Sequence, residues 1–156
     1  MTDEYSPEIS VSHILKLADD FIKTSSNRNS ALEAVVGLLQ ASVPHYDWVG
    51  IYLLEGEVLN IGPYRGNPTS TPRVQVDRGI CGAAVRDKQT IIVPDVKADK
   101  RYLECTFETQ SEIVVPIIAG DNVVGEIDID SDIVNAFSDK DEELLGKIAG
   151  MLSDLF

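Results

Sequence analysis

Two short apolar runs, "SEIVVPII" and "VVGEIDID", lie on either side of Gly120-Asp121-Asn122. The second run alternates apolar and acidic residues, which is the period of a β-strand with one face buried. A Gly-Asp-Asn sequence is typical of a tight turn between antiparallel strands. The segment therefore predicts a β-hairpin, and the rest of the chain must supply a partner for its apolar face.

Helical periodicity occurs at both ends of the chain. Apolar residues recur at helical spacing over residues 7–25, and the capping-box spacing of Ser30 and Glu33 predicts a second helix over 31–42. Ser138 and Asp141 have the same spacing and predict the start of a final amphipathic helix. These helices are expected to cover a sheet.

Strand periods dominate the middle of the chain. The other predicted elements are the strands "YDWVGIYLL" and "EVLNIGPY" joined at Glu55-Gly56, the strand "RVQV", a short helix from Gly79 to about Lys88, the strand "TIIV" and a loop over 95–110. Strand hairpins between terminal helices indicate an α+β fold, with one mostly antiparallel sheet and the terminal helices packed on one face. We expect a single domain over residues 1–156, with residues 1–7 flexible.

The charge balance limits the classes of partner. Thirteen basic and 26 acidic residues give a net charge of −13, which disfavours both nucleic acid and anionic membranes. No signal peptide and no apolar run of about 18 residues are visible, so a cytoplasmic location is predicted. The chain has no CxxC pair, and neither histidine has metal-ligand spacing to a cysteine, so neither a metal site nor a bound cofactor is predicted.

The only two cysteines are 24 residues apart. Cys81 begins a predicted short helix, where the helix N-terminus would lower its pKa, although a small buried residue explains the same position. Cys105 lies in the irregular segment "YLECTFETQ", which favours a reactive loop thiol over a buried one. A glutamate, Glu112, follows seven residues later and could protonate a leaving oxygen while sulfur attacks; alternatively, it is a surface charge.

A row of acids occupies alternate positions of "GEIDIDS". Glu126, Asp128 and Asp130 are predicted to point to one face of their strand. That face is either exposed to solvent or forms a wall that binds an ammonium group or a divalent metal. Trp48, the only tryptophan, is either a core aromatic or part of a pocket on the same side.

Several segments together resemble the free methionine-R-sulfoxide reductases, which are single-domain GAF proteins. These segments are "DWVGIYLLEGEVLNIGPYRG", "VDRGICGAAV", "CTFETQSEIVVPI", "VVGEIDIDS" and "AFSDKDEELL". The resemblance implies a GAF-like fold, oxidative-stress-related reduction of free methionine-R-sulfoxide, thioredoxin as electron donor and a homodimer.

The resemblance also assigns roles to residues. Cys105 looks like the attacking cysteine, and Cys81 looks like its partner in a disulfide. Glu112, Asp128 and Asp130 match the acids that bind substrate, and Glu112 would also support protonation of the sulfoxide oxygen. Trp48 looks like the aromatic that encloses the sulfoxide, and Tyr52 on the same predicted strand is assigned to the same pocket.

The chain departs from the family pattern at one position. Members commonly carry a third cysteine ten residues before the "GICG" cysteine, and this residue usually resolves the intermediate; here it is Thr71. Resolution then falls to Cys81 or to an external thiol, or the activity has been lost. Two other functions fit the same residues: a ligand-sensing GAF module without catalysis, and a peroxide-sensing thiol switch.

Overall fold

The computed structural model describes residues 10–103 and 108–156. The regular elements alternate between helices and strands in the order that the sequence periods predict. They are α1 (Val11–Thr24), α2 (Arg28–Ser42), β1 (Trp48–Glu55), β2 (Val58–Arg65), β3 (Arg73–Gln75), α3 (Gly79–Asp87), β4 (Ile91–Val93), a 3₁₀ helix (Val96–Ala98), β5 (Ser111–Ala119), β6 (Asn122–Ser131) and α4 (Asp139–Ser153).

The six strands form one antiparallel sheet in the order β3-β2-β1-β6-β5-β4. The hairpin of β5 and β6 supplies its centre, and β1 pairs with the other edge of β6. The loop between β1 and β2 is Gly56-Glu57, one residue later than predicted, because Glu55 still pairs with Val58. The predicted α+β fold and its antiparallel sheet are therefore confirmed.

The two faces of the sheet are covered differently. Ile127 and Ile129 of β6, together with Ile113 of β5, pack beneath α1, α2 and α4 in the main apolar core. The opposite face carries the acids of β6 and packs against α3 and the segment around Val96. Burial of each large aliphatic side chain contributes about 1.5–3 kcal/mol, so the main core supplies most of the hydrophobic stabilisation.

The start of α2 differs from the prediction. The helix begins at Arg28, and the Asn27 side chain caps it by accepting a hydrogen bond from the Ser30 backbone N–H at 2.9 Å. The expected cap at Ser30 with Glu33 is therefore wrong, because Asn27 provides an equally good cap three residues earlier. The expected start of α1 near residue 7 lies outside the described residues; the helix is capped by Ser10. Within the described part of the chain, no helix has the length and apolarity to cross a membrane.

The start of α4 agrees with the prediction and is joined to the core. Ser138 and Asp141 form a capping box, with the Ser138 N–H donating to Asp141 Oδ2 at 2.9 Å. The other Asp141 oxygen, Oδ1, accepts the Tyr46 hydroxyl at 2.7 Å and lies 3.0 Å from His45 Nε2. Burial and this hydrogen bond raise the pKa of Tyr46, so its hydroxyl remains a donor to the helix start.

We predict that Asp141→Ala lowers the free energy of unfolding by about 2–4 kcal/mol, since it removes a helix cap and leaves the buried Tyr46 hydroxyl without its acceptor. Urea unfolding followed by circular dichroism measures the change. Asp139→Ala is the matched control, because it removes an exposed acid from the same helical turn. Equal losses in the two variants would contradict the role assigned to Asp141.

Candidate functional site

Three neighbouring strands bring the predicted site residues to one face of the sheet. Trp48 on β1 and Glu112 on β5 both pair with Asp130 of β6, from opposite sides. One step along β6 on the same face, Asp128 pairs with Gly50 of β1. Directly opposed residues of an antiparallel sheet share a face, so the aromatic ring and the three carboxyl groups form one group.

This face is not exposed to solvent. Glu112, Glu126, Asp128 and Asp130 are each only 0–2% exposed, beneath α3 and the loops around it. The solvent-exposed alternative for the row is therefore wrong. Its period was predicted correctly, but burial depends on α3, which packs across strands distant in sequence.

Three of the buried acids lack a cationic partner within the part of the chain that the structure describes. None of the ion pairs there involves Glu126, Asp128 or Asp130. Burial is the main cause that raises the pKa of each of these carboxyl groups, and the charge of Asp128 raises the pKa of Asp130 further. The arrangement therefore favours bound protons or a bound cation.

Two glycines position Cys81. Gly79 begins α3 with a φ of +70°, a conformation that side chains disfavour. A Cβ on Gly82 would lie 2.7 Å from the Val76 carbonyl oxygen, so only glycine permits this close packing of the helix. The Cys81 side chain consequently lies buried against the sheet as a free thiol, and its Sγ donates a hydrogen bond to Asp128 Oδ2 at 3.5 Å.

Burial raises the pKa of Cys81 well above its usual value, and the charges of Asp128, Glu126 and Glu112 raise it further. Of the two explanations for the position of Cys81, the small buried residue is therefore confirmed. The helix N-terminus does not make the thiol more acidic, because three acids from β5 and β6 outweigh the helix dipole. The single thiol proton is directed to Asp128. Glu126 lies beside the same thiol and raises its pKa through its charge and through a side-chain hydrogen bond.

The aromatic side of the site is held by hydrogen bonds to the backbone. Trp48 Nε1 donates to the Asn67 carbonyl oxygen at 2.9 Å, and its ring stacks on Tyr64. The indole extends over Gly50, where an added Cβ would come within 2.3 Å of the ring. Because Gly50 has no side chain, the Trp48 ring can lie flat over it, beside the acids.

Tyr52 connects the sheet to the segment that contains Thr71. Its hydroxyl donates to the Thr71 carbonyl oxygen at 2.7 Å. Thr71 and Cys81 both line one small opening, so the position at which the resemblance implies a third cysteine lies at the site. The backbone hydrogen bond holds this position whichever side chain is present.

Two cavities open onto the site. The Trp48 cavity, of about 140 Å³, is lined by Asp47, Trp48, Asn67, Glu108, Thr109, Asp130 and Asp132. The Cys81 cleft, of about 10 Å³, is lined by Thr71, Val74, Gly79, Ile80, Cys81, Leu103 and Glu112. Because Glu112 lines one cavity and its strand partner Asp130 lines the other, the two cavities adjoin at this pair.

Two polar residues at the site received no individual role from the sequence. Glu126 was predicted as a member of the alternating acidic row, but the resemblance assigned roles only to Asp128 and Asp130 of that row. Thr109 donates from its hydroxyl to Asp130 Oδ2 at 3.5 Å, and no sequence pattern identifies it. Cys105, the predicted attacking cysteine, lies outside the described residues, so its role stays a prediction.

The fold and site define a class of protein. The GAF domain family matches residues 27–154. This range includes all six strands and the whole of α4. The antiparallel sheet with helices on one face and a ligand-sized site on the other is thus a GAF domain.

Known proteins narrow the class further. The free methionine-R-sulfoxide reductase of Escherichia coli is 35% identical over 115 residues, covering 74% of this chain and 69% of that protein. A type II free methionine-R-sulfoxide reductase from Thermoplasma acidophilum is 37% identical, with a TM-score of 0.80 and coverage of 88% and 94%. The fRMsr of Staphylococcus aureus in complex with substrate is 33% identical, with a TM-score of 0.87 and coverage of 94% and 95%. The chain belongs to the GAF-domain free methionine-R-sulfoxide reductase family, which confirms the resemblance.

We predict that Cys81 is alkylated slowly in the native reduced protein, with a pH–rate inflection above the ordinary thiol value of about 8.5. The raised pKa keeps the thiol protonated until the pH exceeds that value. Iodoacetamide labelling of Cys105→Ser, read by mass spectrometry across pH, isolates Cys81.

Two comparisons control this measurement. Unfolding in urea removes burial and should return the inflection to about 8.5. Asp128→Asn removes a negative charge beside the thiol and should move the native inflection downward. A native inflection below 8.5 would contradict the electrostatic account of the site.

Proposed function

We propose that the protein reduces free L-methionine (R)-S-oxide to L-methionine, with thioredoxin as external reductant. The observation that carries the proposal is the buried group of Glu112, Asp128 and Asp130 beside the Cys81 thiol and the Trp48 ring. The family relationship supports it, since the S. aureus relative was solved in complex with its substrate.

Substrate recognition follows from the charge of the site. A free amino acid carries an ammonium group, which can replace the missing cation beside Asp128 and Asp130. A methionine sulfoxide within a polypeptide has an amide at the same place and would leave the buried acids unpaired. The Trp48 cavity adjoins these acids, so Trp48 and Tyr52 would enclose the apolar part of the substrate.

The chemistry uses two thiols. The Cys105 thiolate attacks the sulfoxide sulfur, Glu112 supports protonation of the oxygen, and methionine leaves as Cys105 becomes a sulfenic acid. The Cys81 sulfur then attacks Cys105, its proton leaves with the hydroxyl as water, and a disulfide forms. Thioredoxin reduces that disulfide by thiol exchange, which returns both thiols and supplies the two electrons of the reaction.

The acids influence the second step. They raise the pKa of Cys81, so in the empty site this cysteine is a weak nucleophile. While the methionine product is still bound, its ammonium group adds positive charge beside Asp128 and lowers the thiol pKa again. Asp128, which accepts the hydrogen bond of the thiol, would pass that proton to the hydroxyl that leaves as water when the disulfide forms.

We predict that the wild-type protein oxidises NADPH when supplied with thioredoxin, thioredoxin reductase and free methionine-R-sulfoxide. Asp128→Asn should raise KM at least about tenfold, because a buried partner of the ammonium group loses its charge. Glu33→Gln is the matched control, since Glu33 is an exposed acid on α2 beneath the opposite face of the sheet.

The same assay separates the competing functions. The S-epimer and a peptide-bound sulfoxide should give little turnover. Binding of free methionine-R-sulfoxide without turnover would indicate a sensor. Rapid disulfide formation by peroxide, with no turnover of the sulfoxide, would indicate a thiol switch.

The roles of the thiols generate a further prediction. Cys105→Ser should release no methionine, and Cys81→Ser should release one equivalent and then recycle slowly with thioredoxin. Adding Thr71→Cys to Cys81→Ser should restore turnover, because residues 71 and 81 line the same cleft. Quenched single-turnover and steady-state assays of released methionine measure both effects.

Ser70→Cys in the Cys81→Ser background is the control for the restored turnover. It adds a thiol next to position 71 on an exposed residue and should restore less activity. One equivalent released by Cys105→Ser, with none from Cys81→Ser, would reverse the two assignments.

A further inference from the structure

Three potential metal ligands that are distant in sequence come together beside the Cys81 cleft. Sγ of Cys81 and one carboxylate oxygen each of Glu112 and Asp128 all lie within 4.8 Å of one another. They come from α3, β5 and β6, and all three residues are buried. The sequence shows no ligand spacing because the three converge only in the fold.

A fourth acid faces the same group. Glu126 is fully buried on the Asp128 face of β6, and its charge acts on the Cys81 thiol. Asp128 Oδ1, on one of the three ligand residues, is buried and has no hydrogen-bond partner among the described residues. A buried polar atom without a partner is costly, so this oxygen indicates a ligand that accepts its lone pair.

Size and chemistry favour a metal ion as that ligand. Ligand atoms that all lie within 4.8 Å of one another leave room between them for a single ion rather than an organic cation. A water molecule could donate two hydrogen bonds, but only a cation can take the place of the protons that the empty site holds. A thiolate among carboxylates matches a borderline-soft ion such as Zn²⁺, whereas Mg²⁺ and Ca²⁺ prefer oxygen ligands alone.

We propose that Cys81, Glu112 and Asp128 form a binding site for a thiophilic divalent cation of the zinc class, with a water molecule as the fourth ligand. Zinc bonds of about 2.0–2.3 Å set tetrahedral ligand atoms roughly 3.5 Å apart, so the three ligands must draw together by about 1 Å. Coordination displaces the thiol proton, and any protons held by the two carboxyl groups, to solvent.

Metal binding would also regulate the reductase, a consequence that rests on the proposed function. The ion would occupy the Cys81 sulfur and Asp128, which the proposed reaction uses for resolution and for ammonium binding. Zinc and the amino acid substrate should therefore compete. Metal binding itself requires no reductase activity, so the two proposals can fail separately.

The direct test uses Co²⁺ as a spectroscopic probe of the fully reduced protein, followed by Zn²⁺ displacement. We expect one equivalent of Co²⁺ to give thiolate-to-cobalt charge-transfer absorption. That absorption should be absent in Cys81→Ser and retained in Cys105→Ser. Asp128→Asn should weaken Zn²⁺ binding at least tenfold in a chelator competition, whereas Glu33→Gln should leave it unchanged.

Three results would overturn the proposal: charge-transfer absorption retained in Cys81→Ser, absorption lost in Cys105→Ser, or undiminished Zn²⁺ affinity in Asp128→Asn. Thermal unfolding of each variant without metal establishes that it is folded. Zinc binding to a protein without reductase activity would contradict only the proposed function. Reductase activity without zinc binding would contradict only the metal site.

Discussion

The site depends on carboxyl groups that the central hairpin removes from water. Asp128 and Asp130 face away from the main core because Ile127 and Ile129, which alternate with them along β6, are packed in that core. A one-residue slip of β6 would move the acids into that apolar core, so the register of the hairpin is strongly specified. The apolar face thus determines where the charged face lies, and its burial offsets the desolvation of the acids.

The same acids determine the chemistry available to the thiol on α3. A cysteine at a helix N-terminus ordinarily gains acidity, but Cys81 lies against Asp128 and Glu126 and loses it. The empty site therefore holds its protons. A cationic ligand reverses this balance, since its charge favours both ionised acids and a thiolate. Ligand binding and thiol activation are coupled through one electrostatic interaction.

Much of the fold could be predicted because the relevant signals are local. The alternation around Ile127 and the capping box at Ser138 each act within a few residues, and both predictions are confirmed. The start of α2 was predicted wrongly because Asn27 and Ser30 offer competing caps a few residues apart. Burial of the acids and the pKa of Cys81 could not be predicted, since both arise from contacts between elements distant in sequence.

At Thr71, the position of the backbone does not depend on the chemistry of the side chain. Tyr52 holds the backbone carbonyl of Thr71, so the segment reaches the Cys81 cleft without help from the side chain of residue 71. Replacing a cysteine there removes a nucleophile but leaves the packing that brings the segment to the cleft. Cys81 is then the only described thiol at the site, and the same carboxyl groups that suit a cationic ligand control when it can react.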